Sequence, residues 1–338
     1  MRRSGVPRAA WADVRAQARR LVPGLLVCAA VAVVARLLAN QYGAPHMLFA
    51  LLFGMALHFL SEKTAYRPGI DAATTHVLRI GVALLGTRIT VDAVVSLGPG
   101  AIALVAAGTL LTIAGGVLIS RAAGYPATFG VLTGGAVGIC GASAALAIAA
   151  VLPRERDSAQ RTAFAVIAVT TLSTIAMIVY PVAARWLALD PVASGVFLGG
   201  TIHDVAQVVG AGYSLSEEIG DSSTITKLFR VAMLVPVVFA LSLAFGRRGE
   251  GARQFPVPMF VVAFCVLVAL NSAGWIPAAI DRMAESASGW FLVAAIAGVG
   301  VKTSLGQLAQ VGFVPVGVMV AESLFLAAWV LVGVVWLL

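Results

Sequence analysis

Long runs without charge set the pattern of this chain. No Asp, Glu, Lys or Arg occurs between Arg36 and Glu62, Asp92 and Arg121, Arg121 and Arg154, Arg161 and Arg185, or Arg253 and Asp281. A core helix of a soluble protein needs no such run, whereas a bilayer span takes about 20 apolar residues. The runs predict hydrophobic segments at 21–38, 46–61, 77–97, 100–120, 127–152, 162–184, 192–212, 224–245, 256–273, 287–303 and 315–337. These are about eleven segments, and the chain reads as an all-α polytopic membrane protein.

Composition agrees: of 338 residues 60% are hydrophobic and 11% charged, and mean hydropathy is +0.97. Soluble domains carry roughly a quarter charged residues. The formal charge of +8 would point to nucleic acid in a soluble protein. Here the basic residues serve as topogenic loop charges, and no nucleic acid is expected. Cys28, Cys140 and Cys265 sit in apolar runs without disulfide or zinc spacing. Residues 1–20 hold six Arg around Trp11 and Asp13, the pattern of a cytoplasmic interfacial arm. Residues 21–338 then form a single transmembrane transporter domain, because no interval between segments is long enough for a soluble core.

Counting Lys and Arg in short loops puts the N-terminus, the Lys63 and Arg67 loop, Arg121 and the Arg247, Arg248, Arg253 loop on the cytoplasmic side of an inner membrane. The Arg154 and Arg161 loop fits only if 127–152 and 192–212 are re-entrant from opposite faces. The sequence leaves crossing and re-entrant arrangements open. Laying 80–100 over 296–316 aligns Ile80, Thr87, Ala93, Val95 and Pro99 with Ile296, Thr303, Ala309, Val311 and Pro315. The two copies run in opposite directions, as an inverted-repeat transporter requires.

Two glycine-rich segments stand out. In 130–148, Gly134, Gly135, Gly138 and Gly141 surround Cys140 and Ser143. Each glycine costs about 1 kcal/mol against Ala in a helix, so a break is expected here, with half-helix amides able to hold an anion. A small-residue packing face is the competing reading. The second segment, 195–214, adds Thr201, His203, Asp204 and Gln207 after Gly199 and Gly200. On a continuous helix Thr201, Asp204 and Val208 would share a face, with His203 and Gln207 stacked beside it. His203 and Asp204 are candidates for proton or conformational coupling, or else for plain interhelical hydrogen bonds. Arg88 and Lys302, beside Thr303 and Ser304, would attract an anion or snorkel. Lys227 and Arg230 read as anchors of a span end that snorkel rather than as a substrate path, and Glu322 as the structural partner of a cation. His46, His58 and His76 mark span ends.

The stretches "LRIGVALLGTRIT", "GGAVGICGASA", "GGTIHDVAQVVGAG", "TITKLFRVAMLVPVV" and "VGVKTSLGQL", in this order, resemble the YeiH-type family of proposed sulfate exporters over nearly the whole chain. That family is similar to bile-acid symporters and cation/proton antiporters. The resemblance implies inverted repeats, discontinuous helices and a core moving against a scaffold. It also implies a substrate region at 134–143 and 199–207, with 302–304 nearby.

The expected function is a secondary exporter of sulfate or a related small anion, held by broken-helix amides. Transport of another small anion, or a channel-like role, is the alternative. Absence of GxxxxGK[ST] argues against direct ATP drive, and absence of HExxH and GxSxG against an intramembrane enzyme. No cofactor is called for. The expected partners are the small anion, the lipid bilayer and protons, and homodimerisation is compatible with the architecture.

Overall fold

A computed structural model describes residues 8–42, 46–87, 89–95, 97–153, 157–245, 259–303 and 313–337. Every regular element among them is helical. In chain order these are α1 (Arg8–Tyr42), α2 (His46–Ala56), α3 (Arg67–Ala72), α4 (Leu78–Leu84), α5 (Val91–Val95) and α6 (Gly98–Ala122). Next come α7 (Ala127–Gly135), α8 (Ala142–Val151), α9 (Ser158–Trp186), α10 (Pro191–Thr201) and α11 (Val205–Tyr213). The last are α12 (Glu217–Ala232), α13 (Leu234–Phe245), α14 (Met259–Ser272), α15 (Ala278–Lys302) and α16 (Phe313–Leu337).

Six helical stretches are long and apolar enough to cross a bilayer: Arg19–Gln41, Gly98–Ala122, Gln160–Trp186, Glu217–Phe245, Ala278–Lys302 and Val314–Leu337. They coincide with six of the sequence segments. The other segments, 46–61, 77–97, 127–152, 192–212 and 256–273, are built from shorter helices. Large apolar side chains such as Leu26, Leu118, Val182 and Leu324 point outward on the long helices, as lipid-facing positions do. The basic residues 8–20 begin α1, which runs on into the first apolar stretch.

Two compact units emerge, one from 1–81 with 286–303, the other from 82–285 with 304–338. In the first, α1 meets α3 backbone to backbone: a Cβ on Gly24 would lie 2.7 Å from Gly69 Cα. Gly54 and Gly300 bring α2 against α15 in the same way, with 2.9 Å between a Gly54 Cβ and Gly300 Cα. Cys28, Ile70, Ala73 and Val301 form the buried core. Two cations are held here: Arg36 lies 4.1 Å from the Trp290 ring centroid, and Lys302 Nζ pairs with Asp71 at 2.7 Å. His58 Nδ1 donates to the Val301 carbonyl at 2.8 Å, so this histidine ties the short 3-10 turn His58–Leu60 to a helix end.

The second unit is organised by glycine seams. Along α6 and α7, a Cβ on Gly134 would lie 2.7 Å from the Thr112 carbonyl oxygen and 2.9 Å from Ile113 Cα. Along α10 and α12, a Cβ on Gly199 would lie 2.7 Å from Thr226 Cβ. α16 crosses α6, where the Trp329 indole donates to the Leu104 carbonyl at 3.0 Å, and α10, where Val330 lies over Gly200. Local signals start two of these helices. Asp190 caps α10 by accepting from the Ala193 amide, with Pro191 in the first turn. Ser216 caps α12, and Glu217 and Glu218 sit at its positive end.

Of the repeat pair, residues 304–312 of the second copy, Ser304 among them, lie outside the described residues, as do Arg88 and Ser96 of the first. Gly134→Val should therefore lower the melting temperature of the purified protein, at a cost of about 1–3 kcal/mol from overpacking. Gly115→Val, where an added Cβ meets nothing within 4 Å, should leave the melting curve near wild type.

Candidate functional site

Both glycine-rich segments are broken, and the breaks meet. α7 runs through Gly134 and Gly135 as regular helix and widens into a single π turn over Ala136–Cys140, closed by the Gly141 amide donating to the Ala136 carbonyl at 2.8 Å. Gly141 then takes φ +67°, a conformation that glycine adopts at little cost, and α8 restarts. The glycine cluster therefore does not itself unwind the helix. Gly134 and Gly138 survive in helix because their missing side chains let α6 approach, Gly135 makes room for Ile148 of α8, and only Gly141 makes the break. α10 ends at Thr201, Ile202 is extended, and Asp204 caps α11 through Oδ1, which accepts from the Ala206 amide at 2.9 Å. Thr201, Asp204 and Val208 are thus not on one helical face, because the chain is extended between them.

A broken helix frees carbonyls at the end of its first half and amides at the start of its second. In this unit the carbonyls are taken by cations. Arg230 on α12 is fully buried, and all its donor nitrogens reach main-chain oxygens. Nε donates to the Gly138 carbonyl at 2.9 Å, and Nη2 to the Val137 and Gly138 carbonyls, each at 2.7 Å. Nη1 donates to the Gly199 and Ile202 carbonyls, each at 3.1 Å. One guanidinium therefore joins both breaks. Lys227, one turn earlier and also fully buried, donates to the Ile139 carbonyl at 2.8 Å and the Ile202 carbonyl at 2.9 Å. Both cations sit at the negative ends of half-helix dipoles. Neither snorkels: bonding the freed carbonyls satisfies more groups than reaching an interface would.

The amides find other partners. Ser173 Oγ of α9 accepts from the His203 and Asp204 amides at 3.2 and 3.0 Å. Gln207 Nε2 donates to Thr174 Oγ1 at 2.8 Å. His203, 1% exposed, lies between the breaks: Nδ1 donates to the Val137 carbonyl at 3.1 Å, and Nε2 meets Ser323 Oγ of α16 at 3.1 Å. A carbonyl only accepts, so the hydrogen-bond network assigns a proton to Nδ1. Asp204 is half-exposed and within coulombic range of Lys227 and Cys140. The start of α8 differs from that of α11: it has no side-chain cap, and Ser143 is exposed there.

The crossing thus assembles Gly138, Cys140, Gly141, Gly199, His203, Asp204 and Gln207 from the sequence-expected set, with Ser143 at its open edge. Gly134, Gly135 and Gly200 pack against Thr112, Ile148 and Val330. Thr201 bonds back to the Phe197 carbonyl of its own helix at 2.6 Å. Lys302 and Thr303 belong to the other unit, where Lys302 pairs with Asp71 and Thr303 bonds the Val299 carbonyl. Glu322 pairs with no cation among the described residues and accepts instead from the Thr133 hydroxyl at 2.7 Å. Ser173, Thr174 and Ser323 were not legible in the sequence, since hydroxyls in apolar helices bond their own backbone just as readily.

Comparison with known proteins now adds the lineage. The family model described as Conserved hypothetical protein 698 matches residues 23–319. The chain belongs to this family. A UPF0324 membrane protein of Chlorobaculum tepidum is 54% identical over 94% of this chain and 90% of its own length. The UPF0324 membrane protein TauZ of Paracoccus denitrificans is 52% identical over 92% of this chain and 94% of its own. A UPF0324 membrane protein of Pseudomonas aeruginosa is 33% identical over 94% of each chain. No solved structure matches.

Arg230→Met should cost at least about 3 kcal/mol, because it strands buried carbonyls at both breaks. Arg230→Lys should recover less than half of this in urea unfolding, since an ammonium cannot reproduce the five-donor fork.

Proposed function

We propose that this UPF0324 protein is a secondary transporter of a small anion, with sulfate or a related sulfur oxyanion as the substrate and export as its direction. The observation that carries the reading is the burial of Lys227 and Arg230 where two broken helices meet, with no ion-paired carboxylate on either among the described residues. The fixed charges there are two cations and Asp204, a formal sum of +1. The two half-helix C-termini and two N-termini contribute about −0.5 and +0.5 each, and cancel. A buried site with surplus positive charge is complementary to an anion.

The four helix ends do not share this work equally. Lys227 and Arg230 are spent on carbonyls, and Asp204 occupies the start of α11. At the start of α8 the Ala144 amide donates to Cys140, and the Ala142 and Ser143 amides before it, with the exposed Ser143 hydroxyl, are where the anion binds. Lys227 and Arg230 act through the field they maintain, and the positive helix end supplies direct donors. His203 and Asp204, at the extended step between α10 and α11, link substrate occupancy to rearrangement of the breaks. The sequence resemblance to proposed sulfate exporters points to the same substrate class.

Reconstituted in liposomes, the protein should take up radiolabelled sulfate along a saturable curve. Ser143→Asp, which places a negative charge at the start of α8, should raise KM at least about tenfold, while Ser143→Ala changes it less than about threefold. Linear, unsaturated flux or an unaltered KM in Ser143→Asp would refute the reading.

A further inference from the structure

Away from the crossing, α16 carries a buried acid that bonds neither Lys227 nor Arg230. Glu322 is 1% exposed. Its Oε1 accepts from the Thr133 hydroxyl of α7 at 2.7 Å, and its Oε2 is buried with no hydrogen-bond partner. Across the seam on α6, a Cβ on Gly116 would lie 2.6 Å from Glu322 Oε1. Ser120, one turn further along the same face of α6, has a buried hydroxyl oxygen that is also without a partner. The next residue of α16, Ser323, is the one that meets His203 Nε2.

The surroundings hold no countercharge. α6 presents Gly116 and Ser120, and its Arg121 is exposed at the helix end. α7 presents Gly130, Thr133 and Gly134, and α10 carries no titratable residue. The π turn between α7 and α8 carries Cys140, whose charged neighbours are Lys227, Asp204 and Arg230. On α9, Arg161 lies in the first turn near Asp157, Arg185 is exposed in the last turn, and the Tyr180 ring packs tilted against Phe197. His203 is reached from the neighbouring Ser323, whose hydroxyl meets its Nε2.

A carboxylate only accepts hydrogen bonds, and this one has a single donor for two oxygens. An ionised carboxyl in hydrocarbon without a partner is costly, and such residues inside spans are functional by default. A carboxylic acid supplies the missing O–H from itself and needs no cation. We propose that Glu322 is the proton-binding site of the transport cycle: its carboxyl takes a proton from water on one side of the membrane and returns it to water on the other, with no other bond made or broken. The neighbouring Ser323 transmits the change to His203, and through it to the Val137 carbonyl that Arg230 also holds. Neutral Glu322 leaves the crossing's surplus of +1 uncompensated, whereas ionised Glu322 offsets it. Proton and anion then bind cooperatively, each strengthening the other, and travel in the same direction, so that export is driven by the anion's own outward gradient and carries the proton with it. This coupling rests on the anion reading, but proton binding at Glu322 does not.

Two measurements separate them. Infrared spectra of the purified protein in lipid, titrated over pH, should show a carboxylic C=O band that disappears with pH and is absent from Glu322→Gln. Thr133→Val should move that band to higher frequency by removing the hydroxyl that donates to Oε1. Absence of any band that these variants remove or shift would overturn proton binding, whatever the substrate. In liposomes, Glu322→Gln should retain sulfate–sulfate exchange but lose at least about tenfold in pH-gradient-driven sulfate accumulation. Accumulation equal to wild type would overturn the coupling. If wild-type protein moves no sulfate, the anion reading fails and the infrared result alone decides the proton site.

Discussion

A helix interrupted inside a bilayer exposes carbonyls that have no water to turn to, and the fold of the second unit follows from how these are satisfied. Two interruptions are placed together, so that one guanidinium serves both. Arg230 fits this task because its planar fork offers five donors in fixed directions, and each finds a main-chain oxygen. Lys227 completes the set with a point charge aimed at Ile139 and Ile202. The glycine seams exist to permit this. α12 can bring both cations under the breaks only if it lies against α10 at Gly199, and α7 reaches its position only if α6 accepts Gly134 at backbone distance.

The same constraint sorts the polar residues into roles. Hydroxyls of α9 receive the amides of one break, the Asp204 carboxylate caps the helix that follows, and His203 spans from one break to α16. None of these contacts is made by a side chain at a span end. What looks from composition like a sparse scatter of charge is a network in which main-chain oxygens, more than carboxylates, are the partners of cations.

Much of this was legible from residue type alone. The density of glycine in 130–141 and the presence of His203 and Asp204 in an apolar run marked both broken segments, because each is expensive in a continuous apolar helix. The position of the break within the first was not legible: Gly134 and Gly138 are as flexible as Gly141, and only packing against α6 shows that they remain helical. Lys227 and Arg230 were read as span-end anchors, since a cation early in an apolar segment reaches water cheaply. Their partners lie 25 to 93 positions away and exist as free acceptors only once the breaks form. The partner of Lys302 was hidden for a related reason, because Asp71 is brought to it by the fold of the other unit. Membership of the family was carried by motif order, which tolerates every one of these errors.

One arginine closes both breaks, and the rest of the second unit depends on it. A density map of the protein in lipid nanodiscs, at a resolution that shows side chains, tests it most directly. Density for the Arg230 guanidinium is expected between the carbonyls of Val137 and Gly138 on one side and Gly199 and Ile202 on the other. A continuous helix through 191–213, or an Arg230 side chain extending to the headgroup region, would contradict it.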